Sequence, residues 1–589
     1  MLGAGMSPSD GPPAAPSPDT PRPPAAAPPV SADATDATDA VRAARAASEA
    51  DAGAARPADT AAAVPESPVA PLRRPVFRML WLAWLAANVT MWMNDVAAAW
   101  LMTSLTDSIV MVALVQAAST LPVFVLGLPS GALADIVDRR RYFALTQLWV
   151  AVVAVVLGAF SLAGALSAPW LLALTFANGI GMAMRWPVFA AIVPELVPRA
   201  ELPSALALNG IAMNMSRVIG PIVAGALLAS VGEPWVFLLN AVLAVVAFTL
   251  ILRWRAQRKP SALPGERFVG AMRVGLQHVV QSPPMRVVLI RIFLFFLQST
   301  ALTALLPLVA RRLGGGAGTF TLLLAAMGCG AILGALFVLP RLRQRFSGDR
   351  MVQGGTVVHG LATIVVALSP TPWLSVPAMA LAGLVWLAVA NTLTVSAQMA
   401  LPNWVRARGM SIYQMALMGG SASGAAVWGW VASHSSVPAS LIAAALAGPA
   451  VLLLTRRLQV SGRAAEDLSQ VGAVSSAAPP VIPIDPDEGP VMVTVEYQID
   501  PARAAEFAAV MRETRRARLR QGALSWGLFR DTARVGRYIE YFVDESWVEH
   551  QRRLERFTAA DIGLRERRLA FHLGSEPPRA QRYVADDID

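Results

Sequence analysis

Two stretches decide how this chain is read: VPELVPRAELPSALALNGIAMNMSRVIGPIVAG, Val193–Gly225, and MALPNWVRARGMSIYQMALMGGSASGAAVWG, Met399–Gly429. In each, a short turn carrying Pro and Arg leads into a helix rich in Gly, Ala and Ser. Small residues along an apolar helix let a neighbouring backbone come close. The same layout placed twice, far apart in the chain, points to two related halves.

The sequence around these stretches is apolar. Of 589 residues, 55% are hydrophobic and 15% charged, with mean hydropathy +0.51. A soluble domain usually carries about 25% charged residues, so a single water-soluble domain is excluded. Apolar runs recur from Val76 to Leu458, each long enough to cross a hydrocarbon core of about 30 Å. Twelve spans are expected near 76–104, 108–133, 142–166, 169–193, 204–230, 234–254, 286–310, 317–340, 351–369, 372–398, 409–433 and 438–457. The runs are continuously apolar, without the alternation of barrel strands, so they read as helices. A loop at 255–284 divides them into bundles at 76–254 and 286–458, an all-α polytopic arrangement. Two repeated six-helix bundles with a site between them is a transporter layout.

Arginine sets the orientation. The even-to-odd connections hold Arg139, Arg140, Arg141, Arg199, a cluster from Arg253 to Arg273, Arg341 to Arg350, Arg406 and Arg408. The odd-to-even connections are short and nearly free of basic residues, Arg311 and Arg312 excepted. Both termini are therefore expected in the cytoplasm. The net charge of +10 is almost all arginine, since Lys259 is the sole lysine. With Ala equally over-used, it reflects composition and loop topology, and no nucleic-acid partner is expected. The single cysteine, Cys329, rules out an intramolecular disulfide and a cysteine-based zinc site. Residues 1–71, dominated by Pro, Ala, Ser, Thr and Asp, are expected to lack order. They contain no apolar core segment of the kind a secretory signal needs.

Between spans 2 and 3 the chain reads GALADIVDRRR, Gly131–Arg141. This resembles the signature of the major facilitator superfamily, with Gly131, Asp135, Arg139 and Arg140 as the cytoplasmic gate. Two positions depart from the pattern: Ile136 stands where a basic residue is usual and Asp138 where glycine is. Span 5 carries Ser216-Arg217-Val218-Ile219-Gly220-Pro221 and then Gly225, similar to the Gly-Pro motif of drug-exporting branches. Pro221 removes one helix hydrogen bond and bends the chain. Taken together, WMNDVAAAWLMTSLTDS, GALADIVDRRR and the Arg217 to Pro221 segment resemble the enterobactin-exporter-like, or transmembrane secretion effector, family. The resemblance covers nearly all of 76–585. It implies a multi-pass protein of the bacterial inner membrane that exports a small molecule against protons.

Ionisable groups inside a bilayer are costly, at least ~2.5–3.5 kcal/mol each on insertion scales, and each needs a role. Asp95 lies in the outer half of span 1 and His359 near the middle of span 9. Both are proton-coupling candidates. Arg217, midway along span 5, is the candidate partner of Asp95. Arg291, near the start of span 7, is expected to snorkel to the surface. Spans 1, 4, 7 and 10 line the cavity if the superfamily pattern holds, which nominates Asn88, Trp92, Asn178, Arg185, Gln298, Trp386 and Asn391. Such a lining suits an amphipathic organic solute. The Arg that many proton antiporters carry early in span 4 is missing; Thr175 stands there.

A linker at 459–489 leads to a segment, 490–585, that reads β-α-β-β-α-β, a ferredoxin-like α+β arrangement. It resembles antibiotic-biosynthesis-monooxygenase-like domains, small units that often pair through their sheets. Trp526, Trp547 and His550 are its candidate pocket residues, with His550 also readable as a satisfied surface histidine. No metal-ligand spacing, nucleotide loop or nucleophile elbow occurs, so neither a cofactor nor a metal is expected. The reading is a secondary exporter with a dimerising or regulatory tail. Two rivals stand beside it: a transporter–enzyme fusion whose tail acts on the cargo, and a membrane sensor that transports nothing.

Overall fold

The computed structural model describes residues 69–198, 201–254, 268–459, 467–469, 471 and 480–586. The Pro/Ala-rich tail lies outside them, apart from 69–71, as do most of the 459–489 linker and the side chains of Gly131 and Asp135. The first bundle is α1 (Pro75–Leu105), α2 (Ile109–Ile136), α3 (Arg139–Leu162), α4 (Ala168–Leu196), α5 (Leu202–Ser230) and α6 (Glu233–Arg253). A short helix, α7 (Phe268–Gln281), comes before the second bundle. That bundle comprises α8 (Pro283–Ala304), α9 (Leu306–Arg312), α10 (Ala317–Leu333), α11 (Leu339–Arg345), α12 (Gly348–Leu368), α13 (Pro372–Met399), α14 (Arg406–His434) and α15 (Val437–Leu454).

Local chemistry sets the helix ends. The Ser108 hydroxyl accepts from the Met111 amide at 3.4 Å to start α2, and Ser436 accepts from Ala439 at 3.2 Å to start α15. Asp138 accepts from Arg141 N at 3.0 Å, so the residue that departs from the superfamily signature is the N-cap of α3. Prolines open α1, α4, α5, α6 and α8, where the missing N–H costs nothing.

Among the described residues, ten helices or helix pairs are long and apolar enough to cross a membrane. Twelve were expected. The two helices outside that set, α4 and α14, have 29 residues each. Part of α4 has side chains outside the described set. In α14, five glycines and four serines replace bulk apolar residues. A Cβ at Gly420 would lie 2.4 Å from the Phe293 carbonyl oxygen, and one at Gly424 2.4 Å from that of Leu297. Backbone-to-backbone packing against α8 thus stands in for hydropathy.

The cores show how the bundles meet. On the half away from the Arg-rich loops, one continuous core takes Met93–Met102 of α1, Val112–Ala117 of α2 and Ala224 of α5. It runs on into Ala301–Ala310 of α8 and α9, Phe320 and Leu323 of α10, and Ala422–Ala432 of α14. Both bundles contribute. On the Arg-rich half there are two cores instead. One runs from Phe77 to Trp254 in the first bundle, the other from Val279 to Tyr413 in α7 and the second bundle. Along α2 and α14 the bundles stay in contact through this half: a Cβ at Gly127 would meet Met415 Cγ at 2.9 Å, and one at Gly419 Phe124 Cδ2 at 2.7 Å.

The C-terminal unit is a four-stranded antiparallel sheet, β1 (Val491–Gln498), β2 (Ser525–Arg530), β3 (Arg537–Asp544) and β4 (Ala580–Val584), in the order β2-β3-β1-β4. Helices α16 (Ala504–Arg520), α17 (Trp547–Glu555) and α18 (Ala559–Leu569) accompany it. Val493 pairs with Phe542 and Val491 with Asp544, which turns Glu540, Phe542 and Asp544 inward.

This unit is seated on α7. The Arg273 guanidinium meets the Glu545 carboxylate at 2.6 Å. Gln277 Nε2 donates to the Ala523 carbonyl at 2.7 Å, and His278 Nδ1 to that of Arg520 at 3.1 Å. Trp404, in the turn before α14, receives the His278 ring edge-on at 5.3 Å and the Arg556 guanidinium at 4.9 Å. The 255–284 segment, expected as loop, therefore contains a docking helix. Its buried positions Gly270, Val274 and His278 recur every four residues, one stripe of a helix.

Candidate functional site

Polar side chains without partners gather where the two bundles join. Asn88, Trp92 and Asp95 follow one another along α1 at intervals of four and three residues, so they share one broad face. Asn88 is fully buried and donates to the Trp84 carbonyl at 2.8 Å. Its Oδ1, Trp92 Nε1, Asn94 Nδ2 and Asp95 Oδ1 are buried and unbonded.

Asp95 faces a small cavity lined by Ala99, Val112, Val115, Gln116, Ser119, Thr303 and Ala304, with about 20 Å3 for a water centre. That is room for about one water. Three elements surround it: α1 and α2 of the first bundle, and α8 of the second. The polar lining contributed by Gln116, Ser119 and Thr303 was not picked out from sequence. A Gln in the apolar run of span 2 was the available signal.

Arg217, on α5, lies over two indoles: 5.3 Å from the ring centre of Trp92 and 4.7 Å from that of Trp386 on α13. The guanidinium thus touches both bundles. Gly220, one turn on, makes room for this, since a Cβ there would fall 2.4 Å from Trp92 Cβ. Arg217 Nε and Nη1 are buried with no acceptor. No ion pair links Arg217 to Asp95 among the described residues; the pairing expected from sequence is absent. Further along the motif, a Cβ at Gly225 would strike Thr321 of α10 at Oγ1 2.1 Å, Cγ2 2.4 Å and Cβ 2.6 Å. The Gly-Pro segment is therefore pressed against the opposite bundle on the closed half.

Arg185 is 1% exposed. It donates to the Ala87 carbonyl at 2.8 Å and lies 5.5 Å from the Trp84 ring, which stacks on Phe189 at 3.8 Å. Its Nε is unbonded. Asn178 and Thr175 are buried on the same helix, the Thr175 hydroxyl without a partner. In the second bundle, Gln298 Nε2 donates to His359 Nδ1 at 3.5 Å, a weak bond. Gln298 also lines a cavity between α8, α12 and α15, with about 30 Å3 for water centres. It is thus placed inside its own bundle. Asn391 accepts from Arg343 at 3.2 Å near the Arg-rich end. Arg291 does not snorkel: it is 3% exposed and donates to Thr455 Oγ1 at 2.7 Å and to the Leu458 carbonyl at 2.8 Å. It thereby caps the last span. In the gate motif, Arg140 donates to the Leu252 carbonyl.

The tail carries its own buried charges. Glu540 accepts from Tyr497 at 2.9 Å, and from Arg518 and Trp526 at 3.1 Å each. Burial pushes its carboxyl up, but Arg518 and Arg568 outweigh that and hold it near 2. His550 is not a surface residue: it is 3% exposed and meets Asp544 at 2.8 Å, beside Arg553. Trp547 packs into the core with Val491, Val493 and Phe542. Trp526, Trp547 and His550 are all engaged in internal contacts.

Comparison with known proteins bears on the family and the fold. A model of the family described as transmembrane secretion effector matches residues 66–588. The staphyloferrin A transporter of Staphylococcus aureus is 23% identical over 280 residues, 47% of this chain and 69% of that protein. The enterobactin exporter EntS of Citrobacter koseri is 27% identical over 321 residues, 54% of this chain and 76% of that one. Among solved structures, a bacterial homologue of the lysosomal transporter Spinster, inward-facing and unoccupied, superposes with TM-score 0.53 at 17% identity. The match covers 66% of this chain and 98% of that one. The nucleoside transporter NupG gives 0.53 at 13% identity, over 65% and 99%. At such identities these two speak for the fold alone. A helical, multi-pass fold, a pair of bundles meeting at unpartnered polar groups, and a family match over most of its length make this chain a member of the transmembrane secretion effector family of major facilitator transporters.

Proposed function

We propose that this protein is a secondary exporter in the bacterial inner membrane, moving a small organic solute outward by alternating access in exchange for protons. The carrying observation is the asymmetry of its cores: one core shared by both bundles on one half, two separate cores on the Arg-rich half. With twelve spans and both termini cytoplasmic, the Arg-rich half faces the cytoplasm, and the conformer is one that loads from inside. Names among the relatives, a staphyloferrin A transporter and an enterobactin exporter, favour a siderophore-like cargo over other drug- or metabolite-like solutes. Asp95, with a free carboxylate oxygen beside a water-sized cavity, is the leading coupling group.

The tail fits a ferredoxin-like docking module better than an enzyme, because its candidate pocket residues are spent on internal contacts. Its open sheet face exposes Met492, Phe529 and Tyr583, a surface suited to pairing with a second copy. Metabolite profiling of medium and cytosol, with and without the gene, tests the function. The expected result is one solute class retained inside cells that lack it; unchanged profiles would leave the sensor reading in place.

A further inference from the structure

The exporter reading leaves the cargo's charge open, and the junction of the bundles bears on it. Among the described residues, Arg217 is the one side chain that lies over aromatic rings of both bundles, Trp92 on α1 and Trp386 on α13. The indoles attract its positive charge through their π faces. They offer no acceptor to its N–H groups, and Nε and Nη1, which lie on different edges of the guanidinium, are both buried and unbonded. Trp92 Nε1, on one of the two rings that hold the guanidinium, adds another unbonded donor. A buried donor without an acceptor is unfavourable unless something arrives to fill it.

A purely structural cation would be expected to have acceptors on its N–H groups, as Arg291 has in Thr455 and the Leu458 carbonyl. The acid of this region, Asp95, lies on α1 a turn beyond Trp92 and faces the cavity formed with Gln116, Ser119 and Thr303. Arg185, the other intramembrane arginine of this bundle, is held by a carbonyl and an indole, again without an acid. The junction is thus rich in positive charge and in donors.

We propose that the exported solute is an organic oxyanion, carrying a carboxylate or a group of like shape, and that Arg217 is the residue that binds it. This rests on the exporter reading. A planar carboxylate takes two N–H groups along one guanidinium edge. Once neutralised, the guanidinium is attracted less strongly to the two indoles. The anion therefore weakens a contact between the bundles at the moment it binds, which links loading to the movement that follows.

Charge-matched probes test this on the full-length protein in lipid nanodiscs. Benzoate and benzamide differ in charge at nearly constant shape, and citrate and its trimethyl ester do the same for a larger acid. Binding is read by thermal shift and calorimetry. Benzoate or citrate should bind at least ~10-fold tighter than its neutral counterpart. Arg217→Gln should abolish that preference and Arg217→Lys retain part of it. The wild-type comparison needs no variant, so it holds even if Arg217→Gln folds poorly. Equal binding of charged and neutral probes, or no binding by either acid, overturns the proposal, as does an unchanged preference in a folded Arg217→Gln. The two readings also fail separately. If profiling identifies an exported solute that is neutral or cationic at pH 7, the oxyanion claim falls while export stands. If no solute changes, the exporter reading itself falls.

Discussion

Replacing Gly225 by alanine should open the face that this structure closes. Gly225 belongs to α5 of the first bundle and Thr321 to α10 of the second, so their contact exists only while the bundles are together on that half. The added Cβ would lie 2.6 Å from Thr321 Cβ as well as 2.1 Å from Oγ1. Rotating the threonine side chain moves Oγ1 and Cγ2 but leaves Cβ in place, so relief requires the helices to part. Overpacking of this kind costs about 1–3 kcal/mol. Because the strain acts on one conformer only, it becomes a change in population. At 1.4 kcal/mol per factor of ten, the outward-opening state should gain roughly 5- to 150-fold.

The readout is labelling of Ser119→Cys, on the Asp95 cavity, by a membrane-impermeant maleimide in a Cys329→Ser background. Cys329 is the sole native cysteine, and Ser119 is 3% exposed in the present conformer. Gly225→Ala should raise the labelling rate, and adding Thr321→Gly should return it towards the starting value. Gly383→Ala is the control. Its Cβ would fall 1.9 Å from the Met327 carbonyl oxygen, a clash inside the second bundle, so it should lower thermal stability without favouring either conformer. Labelling unchanged by Gly225→Ala, or raised as much by Gly383→Ala, would refute the reasoning.

Asp95→Asn should abolish accumulation driven by a pH step across vesicles while the protein still folds; retained proton-driven transport would remove Asp95 from the coupling. Glu540→Gln leaves Arg518 and Arg568 buried against a neutral group, and breaking a buried pair from one side costs about 3–5 kcal/mol. The tail should lose protease resistance at neutral pH. In the unaltered chain the same carboxyl sits near 2 instead of its ordinary 4.5. Its stabilisation, about 3 kcal/mol, is complete above pH 4.5 and lost as pH falls from there towards 2, which acid titration of protease resistance would follow. His278 is lowered from 6.5 to about 4 by burial and by Arg520. Docking of the tail on α7 is thus favoured above pH 6.5 and weakens as pH falls towards 4. Hydrogen exchange across α7 should rise in that window, and His278→Gln should flatten the response.

What could be read from the sequence and what could not divide along physical lines. Runs of about 20 apolar residues and the strand–helix alternation of the tail are one-dimensional signals, and they led to the helices and the four-stranded sheet. The low hydropathy of α14 could be seen too, but its cause could not: its glycines meet carbonyl oxygens of a helix more than a hundred residues away. The docking helix α7 was hidden because its buried stripe of Gly270, Val274 and His278 is short and faces a partner 250 residues downstream. Arg291 was expected at the surface from its place near the start of span 7, and His550 stood between a pocket and the surface; each is buried because a distant or folded-back acceptor waits for it.

The pairing of Asp95 with Arg217 failed for a subtler reason. Sequence places Asp95 in the outer half of span 1 and Arg217 midway along span 5, and opposite charge within the same bundle was the ground for joining them. Rotation about the helix axis is the missing coordinate. Three residues separate Trp92 from Asp95, a turn of about 300° at 3.6 residues per turn, so the two side chains leave α1 about 60° apart. That angle sends Trp92 to Arg217 and Asp95 to the cavity with Gln116 and Thr303. On the two roles proposed above, it separates the carboxylate assigned to the proton from the guanidinium assigned to the anion. Had α1 been rotated to bring the two together, each would have neutralised the other, leaving neither charge free to bind what the transporter moves.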